Sequence, residues 1–282
     1  MFTRSHSEPG SQALLRQSWY CGTRVHGNGC HCAPLLSSSS PNPFSPSESE
    51  VKVQLRALGG QDMTIATTDL LGSDQVGVYL ARVGNVLFHP IEIEPSSIEI
   101  LDATLGLERC PISIGGSNLV GALLAGNTKG MAVADIVTDR DIDILTSYGD
   151  VVVMEGGVNT AGNLMVANEQ GAVVSPSIPR DGLEILADVL NVDVAATTVA
   201  GQDVVGSLAL CNAQGVLLHP DVTAEEVEVI QSVLGVDPMV GTVAFGSPYV
   251  GAGACASDTG AVAGQATTGP ELNRLEDALG LI

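Results

Sequence analysis

One spacing constrains this chain more than any other feature. A small residue followed by glycine recurs at Val76-Gly77, Val120-Gly121, Ala161-Gly162, Val205-Gly206 and Val250-Gly251, with steps of 44, 41, 44 and 45 residues between the glycines. Nine residues after the last four stands another glycine: Gly130, Gly171, Gly215 and Gly260. Asn127, Asn168 and Asn212 open the short segments that these close, Asp258-Thr259-Gly260 is a variant, and the first copy, one residue shorter, has Gly84-Asn85. An Asn opening a turn and a Gly accepting positive φ is hairpin chemistry. Strands are therefore predicted on either side, at Leu208-Ala209-Leu210 and Val216-Leu217-Leu218 in the fourth copy.

Helix starts recur 17 residues after the marker glycine, at Thr138, Thr223 and Thr268, with Asp141, Glu226 and Glu271 three residues on. That is the capping-box arrangement or its Asp variant. Ser96 with Glu99 is read the same way in the first copy, and Pro179 takes the slot in the third. Val227, Ile230, Val233 and Leu234 then follow at helical spacing. The helices end near Gly106, Gly149, Asn191, Gly235 and Gly280, residue types suited to helix C-termini. Each copy thus reads strand, strand, turn, strand, helix. Copies of about 45 residues bury surface against one another. An open stack wants polar capping copies, yet the first and last are as apolar as the middle three, so the copies are expected to close into a ring. The marker glycines then fall where five strands converge on an axis and backbones approach closely.

Residues 1–62 do not share the pattern. They hold the only Trp, Trp19, three of the five His, and the tract Ser37-Ser38-Ser39-Ser40-Pro41-Asn42-Pro43. They read as a disordered N-terminal extension, with 63–282 the folded domain and Met63 an alternative natural start. Cys21, His26, Cys30, His31 and Cys32 lack the paired Cys-x-x-Cys spacing of a structural zinc site, so no metal is expected there. Cys110, Cys211 and Cys255 are too widely spaced for a disulfide framework.

The domain is strongly acidic. Residues 63–282 carry six basic side chains against 28 acidic ones, and Lys129 is their only lysine. A net charge of −22 repels bare nucleic acid. Acidic excess, near-absence of Lys and many small residues together read as adaptation to a salt-filled cytoplasm, as in halophilic archaea, where a Debye length of about 3 Å at molar salt screens the self-repulsion. No apolar run reaches the roughly 18–20 residues of a membrane span, and the N-terminus lacks a signal-peptide apolar region. A cytoplasmic protein without membrane or DNA partners is expected.

The ordered series Gly115-Gly116-Ser117-Asn118-Leu119-Val120-Gly121, Ala161-Gly162-Asn163, Leu218-His219-Pro220-Asp221, Val240-Gly241-Thr242-Val243 and Thr267-Thr268-Gly269-Pro270-Glu271-Leu272 resembles the translation initiation factor 6 family of archaea and eukaryotes. The resemblance covers essentially all of 63–282 and none of 1–62. It implies the pentein fold, an α/β architecture also called a five-fold pseudo-symmetric β/α propeller. It further implies a monomer that binds the large ribosomal subunit beside the sarcin–ricin loop, mainly against ribosomal proteins. There the family blocks the small subunit, and it is also tied to large-subunit maturation. Asn163, Asn127 and Ala122 carry over as ribosome-interface candidates; Ala122 stands where many eukaryotic members are basic. For Asn127 the competing role is shaping the hairpin, and for Asn163 it is tying backbone groups near the axis.

A rival reading comes from the same fold. Pentein hydrolases and transferases act on guanidino groups with a Cys, a His and two carboxylates, and this chain offers His219-Pro220-Asp221 and Cys255. Against it, His-Pro occurs twice in one slot, at His89-Pro90 and His219-Pro220, which favours architecture over catalysis. Cys255, among small residues, reads as a buried hydrophobe. No catalytic residue, cofactor or metal ligand is expected. Asp139, Asp141 and Asp143 read as a solvated helix face. A generic binding scaffold is the remaining alternative.

Overall fold

The computed structural model describes residues 2–5 as backbone, and then 64–156 and 159–282. The remaining expectations for 1–62, including the zinc question and the start at Met63, fall outside the described residues. The body is mixed α/β, with one sheet of seven strands and three sheets of three. One strand arrangement recurs. In the fourth copy Ala209–Cys211 pairs antiparallel with Gly215–Leu218, which pairs parallel with Asp237–Val240. Met165–Ala167, Gly171–Val174 and Asp193–Ala196 repeat it, as do Leu124–Gly126, Gly130–Ala134 and Asp150–Met154. Ala81–Val83, Val86–His89 and Glu108–Pro111 do the same. In the last copy the hairpin Ala254–Ala256 and Ala261–Gly264 takes its parallel strand from the other end of the body, Ile65–Thr68. Phe2–Ser5 adds a strand antiparallel to Asp150–Met154.

A helix follows each hairpin: Pro95–Leu105, Asp139–Leu145, Arg180–Leu190, Ala224–Leu234 and Gly269–Ala278. Ile230 and Leu234 are fully buried, with Val227 and Val233 packed partly against the same cluster, as their spacing predicts. Each such side chain taken from water contributes about 1.5–3 kcal/mol. Phe88 is fully buried and meets Tyr148 edge-on, with ring centroids 5.2 Å apart. The rest of the core is Val, Leu, Ile, Ala and Met with Cys110, Cys211 and Cys255, as an aromatic content of 3% requires. Thr138, Thr223 and Thr268 form capping boxes with Asp141, Glu226 and Glu271. Gly106, Asn191 and Gly235 adopt the left-handed conformation just past their helices.

Four expectations need correction. The first helix does not start at Ser96: it begins at Pro95, with Glu94 as N-cap and no side-chain cap bond. Glu94 lies 17 residues past Gly77, where the spacing alone puts it. The marker glycines are not in strands. They sit in single helical turns, Val76–Tyr79, Val120–Leu123, Ala161–Leu164, Val205–Leu208 and Val250–Gly253. Leu208 accordingly ends a turn of helix instead of starting a strand. These turns meet backbone to backbone. A Cβ on Gly121 would lie 2.0 Å from the Gly77 carbonyl oxygen, one on Gly162 1.8 Å from that of Gly121, and one on Gly206 2.0 Å from that of Gly162. Gly251 stands so against Gly206, and Gly77 against Gly251, so the contacts return to their start.

The turn glycines also differ from expectation. Gly130, Gly171, Gly215 and Gly260 do not take positive φ. They are glycine because a Cβ would strike the end of a helix, at 2.5 Å from Val189 O, 2.0 Å from Val233 O, 1.9 Å from Ala278 O and 2.1 Å from Thr104 O respectively. Lastly, Asp139 and Asp143 are exposed, but Asp141 is buried and bonded.

Candidate interaction surface

Two strands of each arrangement run parallel, so their C-terminal ends share an edge. The loops from that edge to the marker turns are tight. Leu70 with Ser73, Ile114 with Ser117, and Val199 with Gln202 exchange backbone hydrogen bonds across two residues. Val243 and Ser247 do so across three. The tips are left-handed: Leu71 and Gly72, Gly115 and Gly116, Ala200 and Gly201, then Ala244, Phe245 and Gly246. A non-glycine residue in this region costs roughly 1–2 kcal/mol, so something must hold these tips.

The capping carboxylates do. Asp141 Oδ2 accepts from Gly115 N at 2.9 Å and from Thr138 N at 3.0 Å. Glu226 accepts from Ala200 N at 3.0 Å, Gly201 N at 2.9 Å and Thr223 N at 2.8 Å, and from the Thr198 hydroxyl. Glu271 accepts from Gly246 N at 2.7 Å, Thr242 Oγ1 and Thr268 N at 2.8 Å, and Phe245 N at 3.3 Å. One side chain thus clasps a loop tip and caps a helix. Burial raises the Glu226 pKa, but its hydrogen bonds together outweigh that and hold the carboxyl at about 2. Glu271 is lowered by the same balance of burial against Thr268, Thr242 and Gly246. In the first copy Ser97 stands in that slot and bonds below the tip, donating to Asp69 O at 3.3 Å and accepting from Thr68 Oγ1 at 3.2 Å.

This edge is also where large apolar side chains face water. Leu71, Ile91, Leu119, Ile136, Val240, Phe245 and Tyr249 are exposed, and each ends a strand or follows one. Phe245 is the most open of them at 81%. Glu226 and Glu271 were legible as caps. Their second task was not, because the loops they hold lie about 25 residues earlier in sequence.

Of the carried-over residues, Asn163 sits partly exposed on the turn Ala161–Leu164, and its Oδ1 accepts from Ser207 Oγ at 3.1 Å. Ala122 is buried on the turn Val120–Leu123. Asn127 lies at the opposite, hairpin end and is 2% exposed. Its Nδ2 donates to Leu190 O at 2.9 Å and Asn168 O at 3.3 Å, while its Oδ1 accepts from Lys129 N and Gly130 N. Asn168 and Asn212 make the same set, to Leu234 O and Asn212 O and to Leu279 O and Ser257 O. With both atoms of its amide engaged, Asn127 stitches one copy to the next. Fold geometry brings together neither Asn127 with Asn163 nor Asn127 with the loop tips.

The catalytic alternative fares no better. Cys255 lies in the strand Ala254–Ala256, and burial, against the pull of Arg82, pushes its thiol up to about 12. A thiol so placed supplies no thiolate at neutral pH. His219 Nδ1 accepts from Asp221 N at 3.0 Å, and no hydrogen bond among the described residues joins it to Cys255. His89, in the matching slot, is bonded to Pro90 O at 2.8 Å, and burial lowers its pKa. Cys110, Cys211 and Cys255 are all free and buried. Arg82, paired with Asp258 at 3.1 Å, lines a cavity of about 100 Å³ at the marker turns together with Cys211 and Cys255. Among the described residues there is no cluster of metal-ligating side chains, and no helix is long and apolar enough to cross a membrane.

Comparison with known proteins agrees with the ordered motifs. The model of the eIF-6 family matches residues 65–278. A protein of Methanocella arvoryzae named translation initiation factor 6 is 38% identical over 218 residues, which is 77% of this chain and 99% of that protein. Its namesake from Natronomonas pharaonis is 41% identical over 76% of this chain and 97% of its own length. That from Haloquadratum walsbyi is 38% identical over 75% and 94%. The match spans more than half of the chain and nearly all of each relative, and on that ground the chain belongs to the eIF-6 family.

Proposed function

We propose that this protein is a translation initiation factor that binds the large ribosomal subunit and keeps the small subunit from joining it. The observation that carries this reading is the family match over 65–278, with relatives named translation initiation factor 6 along nearly their whole length. Family membership also sets aside the guanidine-modifying enzyme. The cycle of glycine contacts from Gly77 through Gly251 and back supports the five-fold pentein ring. So does the sealing of the last hairpin by Ile65–Thr68. The charge of 63–282 favours a basic ribosomal protein over exposed RNA as the main contact. The docking face is the one bearing the loop tips and marker turns, with Asn163 on it and Ala122 beneath.

Sucrose-gradient sedimentation tests the reading. The full chain is added in molar KCl to separated archaeal subunits. It is expected to run with the large subunit and to abolish the joined peak. A folded protein that stays at the top of the gradient in every salt overturns the proposal. Within the same assay, Asn163→Arg places a long charged side chain beside Ser207 on that face and is expected to weaken binding without unfolding the protein. Cosedimentation equal to the parent's removes Asn163 from the interface.

A further inference from the structure

The loop of the fifth copy departs in length from the three others that are closed by a backbone bridge among the described residues. Its bridging residues, Val243 and Ser247, enclose three residues where Leu70–Ser73, Ile114–Ser117 and Val199–Gln202 enclose two. The additional residue falls in a run of three left-handed positions, Ala244 at φ 47°, Phe245 at 62° and Gly246 at 95°. Two of the three carry a Cβ, and one of those is the most exposed aromatic among the described residues. Each feature is costly. Left-handed Phe is strained, and its ring gains nothing from the fold while 81% exposed. The protein nevertheless fixes it: Glu271 accepts from Phe245 N and Gly246 N, and it is itself anchored by Thr242 and Thr268. A scattered surface hydrophobe needs no explanation. One held rigidly in a strained conformation, on a loop lengthened to present it, does.

We infer that Phe245 is an anchor that inserts into an apolar pocket on a basic protein partner. This inference rests on the ribosome-binding reading and names the kind of surface met there. The segment 241–256 contains no charged residue, whereas 63–282 carries a net −22. A neutral tip with Phe245 and the exposed Tyr249, set in an acidic surround, matches an apolar pocket with a basic rim. The same field disfavours an RNA base as the occupant, since phosphates would be brought against the acidic body. A rigid, preordered ring loses little entropy on docking.

Phe245→Gly in the full chain tests this directly, because Gly suits the left-handed position and keeps the loop. The variant is expected to melt at or above the parent's temperature and yet bind the large subunit at least about tenfold more weakly, as aromatic anchors do. Phe245→Leu, which still fills an apolar pocket, is expected to bind between the two. Parent-like binding by Phe245→Gly overturns the anchor while leaving the ribosome reading intact. Equal losses for Leu and Gly overturn the pocket in favour of ring stacking on a base. No binding by the parent itself overturns both readings together.

Discussion

The two ends of the strands are built on opposite plans. At the hairpin end, Asn127, Asn168 and Asn212 do one thing three times, and Gly130, Gly171, Gly215 and Gly260 make one close approach four times. The three amides and four glycines are buried, and each amide joins side chain to backbone. At the loop end, the same slot holds Asp141, Glu226, Glu271 or Ser97, and the tips differ in length and in what they expose. Uniform, buried bonding is what assembly of like pieces requires. Variety among exposed residues on fixed loops is what recognition of a single, asymmetric partner requires. Given the proposed docking face, assembly and recognition are thus separated along the strands.

The largest effect should come from the marker turns, which both ends depend on. Gly206→Ala puts a methyl 2.0 Å from Gly162 O, between backbones that cannot yield separately. It is expected to cost more than about 4 kcal/mol, or to prevent folding, read as loss of the cooperative melting transition. Survival of that transition near the parent's temperature would break the account of the turns.

Glu226→Gln should come next. The native carboxyl is held near 2 against an ordinary value of 4.5, so the unfolded chain binds more protons between those values. Its stabilisation, on the order of 3 kcal/mol, is present in full above about pH 5 and is lost as pH falls through the native value. Denaturant unfolding of parent and variant from pH 7 to pH 2.5 should show the two converging with acid. A constant difference across that range would mean that the clasp does not act through its charge.

Asn212→Ala is the smaller test and sharpens the contrast. It leaves Leu279 O and Ser257 O buried without their amide donor, at a cost of about 1–3 kcal/mol. Subunit binding measured below the melting range should be unchanged, because the proposed docking face lies at the loop end. A selective loss of binding in a variant that stays folded would place the interface at the wrong end.

Much of the scaffold at both ends is legible in sequence, because local rules produce it. Thr223 with Glu226, Gly235 past the helix and Asn212 at the turn each announce a structure made within a few residues. The marker turns were misread for a physical reason. Val205-Gly206-Ser207-Leu208 has a β-branched residue and a glycine and is shorter than any stable isolated helix, so propensity argues against what packing imposes. The turn glycines are read at the right positions on the wrong ground, since a helix end about 60 residues away in the chain, or 156 for Gly260, is invisible to a turn rule. The clasps share that non-locality. Phe245 did leave a trace: the last marker step is 45 residues where that between Gly162 and Gly206 is 44, and the surplus residue is in its loop.

The sealing of Ala261–Gly264 by Ile65–Thr68 has a kinetic consequence. Ile65–Thr68 waits for the last described strand, Ala261–Gly264, so about 200 residues must leave the ribosome before that sheet can form. Closure of this loop comes late in synthesis, and the partly made chain carries an open edge at Ala261–Gly264 or at Ile65–Thr68 until it does. A sheet closed in this way completes only after Gly264 has been made.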